Sequence, residues 1–320
     1  MKRLLIYICL VVSSAFILAC SRSSDTIGPA ICPSESFVVT QDLVFKDNAG
    51  STTSLDFSGT SYAKITMDFS EAITYKVTIS GGTSGAEYLY EGKGSSIDLN
   101  WYGNATNGKS FLIGDYLTCK VTNICKSEAL GTGAKYLTLN SIISYNVGPW
   151  LKCVNYEDVT SFGSYDNSAN IPGSTLTKYV VSSGPGYVAS PQGGAYLHAE
   201  AQCPSNSYYF GGIGVVPSGF DFTSLGTNPD NVYLNVYVRG ESNSQCQLIV
   251  AETVFGSPLN RKFLATASAD WQLHSIKLRD MGIIDPSKIK SIDFNLGTVT
   301  PAQTCSFDTD LILFTFDKPL

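Results

Sequence analysis

The side chains best suited to chemistry are few and scattered. Glycoside hydrolysis needs two carboxyl groups facing each other across a cleft, and Glu157, Asp158, Glu200, Glu241 and Glu252 are the acids available for it. Glu157 and Asp158 are neighbours in "VNYEDV", so on a strand they point to opposite faces, and no other pair is marked by its spacing. They read as surface carboxylates. A serine hydrolase would place its serine in a Gly-x-Ser-x-Gly elbow; that pattern is absent, and the nearest text, "VSSGPG", lacks the first glycine. His274 alternates with Gln272 and Ile276 in "QLHSIK" and reads as a partly exposed strand residue, not a base. No catalytic residue is assigned, and the chain reads as a non-enzyme.

Non-covalent recognition of a sugar asks for different residues. The C–H face of a pyranose packs on a flat aromatic ring, while nearby amides and carboxylates bond its hydroxyls. Candidate rings are Tyr187 in "SGPGYVAS", Tyr196 in "GGAYLHAEA", and Tyr208, Tyr209 and Phe210 in "NSYYFGG". The first and last stretches are rich in Gly, Ser and Asn, where binding residues concentrate. Candidate polar partners are His198, Glu200, Arg239 and Gln247. Tyr196, His198 and Glu200 share one strand face, as do Tyr233, Asn235, Tyr237 and Arg239. If both faces line one concave sheet, they make a shallow groove. Trp101 and Trp271 read as core, packed between sheets.

The elements that must position these residues are strands. Period-two alternation recurs along the chain, and after Cys20 no segment holds a helical period for three turns. Ile65, Met67 and Phe69 share a face in "KITMDFSEAITYKVTIS", as do Ile73, Tyr75, Val77 and Ile79. "SIDLNWYG" aligns Ile97, Leu99 and Trp101, and "DYLTCKVTN" aligns Leu117, Cys119 and Val121. The Gly-rich texts "SGGTSGAE", "YEGKGSS" and "GNATNGKS" read as breaks between strands. Farther on, "NVYLNVYVRG", "CQLIVAETV", "WQLHSIKL", "IKSIDFNLG" and "DLILFTF" are strands. One helical turn is expected in "IDPSKIK", capped by Asp285 with Pro286 at its first position. Gly148-Pro149 interrupts the pattern, and a domain boundary is placed there.

Composition agrees with an all-β fold. Charged residues are only 15 %, against 18 Tyr, 16 Phe and 29 Gly, the mixture antiparallel sheets use. A net charge of -6 without any Lys/Arg run excludes nucleic acid, whose phosphates need clustered cations. Of nine cysteines, Cys32, Cys119, Cys125, Cys153, Cys203, Cys246 and Cys305 lie in the folded part. In an exported chain some of these pair; Cys119 with Cys125 and Cys203 with Cys246 are candidates, and an odd number leaves one over. No Cys-x-x-Cys occurs, which argues against structural zinc.

At the N-terminus, Met1-Lys2-Arg3 precedes an apolar run from Leu4 to Ala19, too short to span a bilayer and of signal-peptide length. It ends in Ile17-Leu18-Ala19-Cys20, which resembles the lipobox of bacterial lipoproteins. The resemblance implies that residues 1–19 are removed and that Cys20 is lipidated, its acyl chains holding the protein to a membrane. Ser21 follows, where an Asp marks inner-membrane retention in many such bacteria, so the outer membrane is expected; the cell surface is expected from the glycan-binding reading below, and Ser21 leaves the side open. Residues 20–36, rich in Ser and Pro, read as a flexible tether.

From about Lys152 to Asp317 the chain resembles jelly-roll carbohydrate-binding modules and the wider galactose-binding-like fold. The likeness rests on order: "VNYEDVTSFG", then "PQGGAYLHAEA", "DWQLHSIKLRDMG", "DPSKIKSIDFNL" and "CSFDTDLILFTF". In such modules acids from the first and last strands hold a calcium ion, which implies Glu157 or Asp158 with Asp308 or Asp310; hard oxygen ligands suit that ion. Here Thr309 separates two acids that the family usually places side by side. The preceding sandwich, residues 37–148, resembles the immunoglobulin-like modules found before such domains in surface glycan-binding lipoproteins. The expectation is two β-sandwiches, residues 37–148 and 149–320. The second captures polysaccharide, with Tyr187, Tyr196, His198, Tyr208, Tyr209 and Arg239 at its site. The alternative is a structural or adhesive surface protein that binds another protein.

Overall fold

The computed structural model describes residues 28–57, 62–141, 145, 148–157, 162–166, 175–181, 188, 190–191, 194–202, 209–217, 219–240, 244–252, 259–264, 268–298, 304–317 and 319–320. The chain is all-β and built as sandwiches. Strands β1 (Val39–Asp47), β2 (Ser54–Asp56), β3 (Ala63–Gly81), β4 (Glu87–Trp101), β5 (Tyr116–Asn123) and β6 (Lys135–Ser141) form one sheet, in the order β1-β3-β5-β6-β2 with β4 also on β3. The sheet wraps on itself because β3 serves both layers. Its first half pairs with β1 and the end of β4, and its second half with the start of β4 and with β5. The register shifts between Asp68 and Ile73, where Ser70 and Ala72 are exposed. Both halves face one core: Ile65, Met67, Ile73, Val77 and Ile79 meet Trp101, Leu117, Cys119 and Val121 there. Each such residue contributes about 1.5–3 kcal/mol on burial.

Two sequence expectations change here. "YEGKGSS" is not a break: β4 runs through it, and Gly92 is needed because a Cβ there would lie 2.6 Å from the Tyr75 ring. Cys125 pairs with Cys32, not with Cys119. Cys119 sits fully buried in the core from β5, and Cys203 lies outside the described residues. The tether is also fixed at its far end. Besides the disulfide, Ile31 N–H donates to Thr74 Oγ1 at 2.8 Å, Thr74 N–H donates back to the Ile31 carbonyl, and Ser34 N–H donates to Glu71.

Asp115 joins two turns. Fully buried, it accepts from the N–H groups of Thr83, Ser84 and Leu112, each at 2.9 Å. Burial raises its pKa, but the donors of Leu112, Ser84 and Thr83 outweigh that and hold it below the ordinary carboxylate value. A depressed folded value means stability present above the unfolded value, near 3.9, and lost as pH falls through the folded one. Asp115→Ala is expected to lower stability by about 2–4 kcal/mol, since buried donors lose their acceptor, and to blunt acid unfolding below about pH 4; urea titrations at pH 3.5 and 7 measure both.

The second sandwich has two sheets. One is ordered β15-β12-β17-β10-β9, with β7 also on β17, from β7 (Trp150–Val154), β9 (Thr175–Val181), β10 (Tyr196–Gln202), β12 (Val232–Gly240), β15 (Gln272–Lys277) and β17 (Thr304–Phe316). The other is β14-β13-β16-β11-β8, from β8 (Phe162–Asp166), β11 (Tyr209–Pro217), β13 (Ser244–Ala251), β14 (Leu259–Leu264) and β16 (Ser291–Thr298). Leu197, Ala199, Val232, Leu234, Val236 and Phe307 from the first sheet share a core with Leu248, Val250, Ile292 and Phe294 from the second. The turn at Pro286–Lys288 forms as a 3₁₀ turn, with Asp285 accepting from Ser287 N–H. Among the described residues, three further 3₁₀ turns, at Phe222–Leu225, Pro229–Asn231 and Leu278–Met281, were not expected. Among the described residues no helix is long and apolar enough to cross a membrane.

Candidate functional site

The outer face of the β15-β12-β17-β10-β9 sheet is divided into two ends. Leu197, Ala199 and Ala201 point into the core, so alternation turns Tyr196, His198, Glu200 and Gln202 outward. On β12, Leu234, Val236 and Val238 point inward and Tyr237 and Arg239 outward by the same rule. At one end an apolar cluster covers this face: Tyr145, Trp150, Val181, Tyr196, Tyr237, Trp271, Leu311 and Leu313. The first sandwich joins it there. Tyr102 packs edge-on against Trp150, 5.6 Å between centroids, and Leu273 N–H donates to the Gly108 carbonyl at 3.3 Å.

A charged group marks where that cover stops. Register brings His198 and Arg239 to either side of Asp308, one from β10 and one from β12. The Asp308 side chain is 5 % exposed and holds both neighbours, accepting from Arg239 Nε and from His198 Nδ1. His198 Nε2 faces Glu200 at 3.1 Å. Two carboxylates, one on each ring nitrogen, are both satisfied only by the doubly protonated imidazolium. The Asp308 hydrogen bond accordingly raises the His198 pKa, against burial, which lowers it, and with help from Glu200. The Arg239 guanidinium lies over the rings of Trp271 and Tyr196, at 5.5 and 5.8 Å, a favourable cation–π geometry.

Beyond this group the face is open and polar. A cleft of about 370 Å³ is lined by Thr175, Thr177, Glu200, Ala201, Gln202, Thr304, Cys305 and Ser306. Its floor is three strands wide, because Gln202 pairs with Thr175 on one side and Thr304 on the other. Glu200 is its exposed carboxylate, with 60 % of the side chain open to solvent.

The structure thus places Tyr196, His198, Glu200 and Arg239 on one face of one sheet. Gln247 belongs to the other sheet, on β13. Tyr196 is nevertheless 2 % exposed and stacked edge-on against Trp271, so it supports Arg239 and offers no ring to a ligand. Trp271 is buried on the outer face, not between the sheets. Tyr187 and Tyr208 lie outside the described residues, and Tyr209 is described only as a backbone position on β11. Of the acids expected to hold calcium, Asp310 is fully buried on β17. Both Asp308 oxygens are taken by nitrogen donors, and Glu157 Oε1 accepts from Ala195 N–H at 2.6 Å. Asp158 lies outside the described residues, and among those described no group of three or more ligand side chains could hold a metal. Sequence reading missed the cleft residues on β9 and β17; the alternating Thr175, Thr177 and Thr304, Ser306 were the available signal.

The sequence matches no protein-family model and no curated protein. Solved structures align at low identity. A family 11 carbohydrate-binding module from Clostridium thermocellum, in complex with a β-1,3-1,4-mixed-linked tetrasaccharide, aligns at 16 % identity and a TM-score of 0.36, over 53 % of this chain and 97 % of its own. SGBP-B from a complex xyloglucan utilization locus in Bacteroides uniformis aligns at 9 % and 0.40, over 87 % and 73 %. The glycoside hydrolase domain of Endo-D from Streptococcus pneumoniae aligns at 12 % and 0.32, over 49 % and 22 %. At such identities no residue role is carried over.

Proposed function

We propose that this protein captures polysaccharide without cleaving it, through the cleft on the outer face of the β17-β10-β9 strands. The observation that carries the reading is the cleft's lining. Hydroxyl, amide and carboxylate groups from three strands point outward in register, on a rigid sheet, which is a preorganised set of partners for sugar hydroxyls. The lining also argues against hydrolysis. That reaction needs two carboxyl groups able to exchange protons or attack, and the Asp308 beside Glu200 is locked between Arg239 and His198. In this reading a lipid on Cys20 holds the chain at the outer membrane, and the first sandwich, immunoglobulin-like in kind, projects the cleft outward.

The test is affinity electrophoresis and calorimetry of the purified protein against xyloglucan, mixed-linkage β-glucan, β-1,4-galactan and α-mannan. At least one polymer is expected to retard the protein and to release no reducing ends. Glu200→Ala with Gln202→Ala is expected to weaken that binding about tenfold, the loss of one or two hydrogen bonds. Lack of binding to all four, or unchanged affinity in the double variant, would count against the cleft.

A further inference from the structure

The first sandwich carries two rings that its own packing does not use. Tyr116 on β5 and Tyr136 on β6 are 54 % and 48 % exposed. They stack on each other, centroids 5.3 Å apart and planes within 12°. Each ring gives one face to its neighbour and keeps the other. The cross-strand positions beside them hold small hydroxyl residues. Tyr116 lies opposite Thr138, which pairs with Ser54, and Tyr136 lies opposite Thr118, which pairs with Ser80. On its remaining side Tyr116 meets Gly82, whose N–H donates to the Tyr116 carbonyl. These neighbours are uncharged, and the next position on that face of β5 is Lys120.

We propose that the Tyr116–Tyr136 pair is a second carbohydrate contact, taking an uncharged hexopyranose chain. The ring faces carry negative potential and complement the C–H faces of a sugar, while the flanking threonine and serine hydroxyls suit its hydroxyls. The size of the exposed ring faces suits a sugar. Two half-exposed tyrosines offer roughly 200 Å², far below the ~800 Å² per partner of a specific protein interface, and of the size of one or two sugar rings. The proposal rests on the glycan-binding reading above. It adds that one long polymer touches both sandwiches, so that binding gains from linkage where a short oligosaccharide in the cleft does not.

The experiment compares wild type with Tyr116→Ala/Tyr136→Ala by calorimetry, using each polymer of the panel and its own tetrasaccharide. Melting followed by circular dichroism establishes folding, and separate Tyr116→Ser and Tyr136→Ser variants replace the double variant if it melts early. The expected result is about a tenfold loss of affinity for the polymer, unchanged affinity for the tetrasaccharide, and near-normal binding by Tyr136→Phe. Unchanged polymer affinity in the double variant overturns the second contact and leaves the cleft standing. A wild-type dimer in light scattering that the double variant lacks overturns it in favour of a second copy of this chain. If wild type binds no polymer, both readings fall.

Discussion

Asp308→Ala is expected to lower stability by about 3–5 kcal/mol and to abolish polysaccharide binding at the cleft. The magnitude follows from what the substitution leaves behind. Arg239 and His198 are 19 % and 15 % exposed at their side chains, and each loses the acceptor that compensated its desolvation. Arg239 is then held only by its cation–π contacts with Trp271 and Tyr196, so the boundary between the apolar cover and the cleft loosens. The pH dependence has a definite sign. A His198 value raised in the folded state contributes stability that is full below about pH 6.5 and fades as pH rises through the folded value. Wild type is therefore expected to weaken from pH 6 to 8.5 in urea unfolding, and Asp308→Asn to lose most of that slope. A variant with the wild-type slope and stability would contradict the ion-pair account.

Trp101→Ala is expected to cost the first sandwich about 3–5 kcal/mol. Trp101 is fully buried and its ring meets those of Phe111, Phe57, Phe45 and Tyr88 at 5.1, 5.8, 6.1 and 6.1 Å. Its Nε1 donates to the Asn104 carbonyl at 2.8 Å, so the residue also holds the loop after β4. A cavity this large, ringed by rigid aromatics, closes poorly. Denaturation watched by circular dichroism should split into two steps, the first sandwich melting ahead of the second; a single transition at the wild-type midpoint would refute it.

Strand-level alternation made most of the fold legible. Ile65, Met67 and Phe69, or Leu117, Cys119 and Val121, each point one way along a pleat, and burial follows. What alternation does not contain is register between strands and breaks within them. Alternation places a strand at "DLILFTF", yet Leu311 has a φ of 50° and the pairing shifts at Tyr237. That bulge turns Leu311 and Leu313 to the outer cluster while Phe307, Ile312 and Phe314 stay inside. The site divides the same way. That Tyr196, His198 and Glu200 share a face was readable from β10 alone. That Asp308 lies between His198 and Arg239 depends on how three distant segments align. Glycines misled for a related reason: Gly92 makes room for the Tyr75 ring from across the sheet, a need invisible within its own sequence.

The Cys32–Cys125 disulfide has a mechanical consequence. β1 is the edge strand on β3, and a force pulling on an edge strand's end unzips its hydrogen bonds one at a time. Here a load entering ahead of residue 32 meets the covalent bond before it reaches β1, and passes to Cys125, next to the end of β5 inside the sheet. The covalent path then continues from Cys125 to β6, so β1 to β5 lie inside a closed loop that this load does not extend, and peeling from the edge at β1 is bypassed.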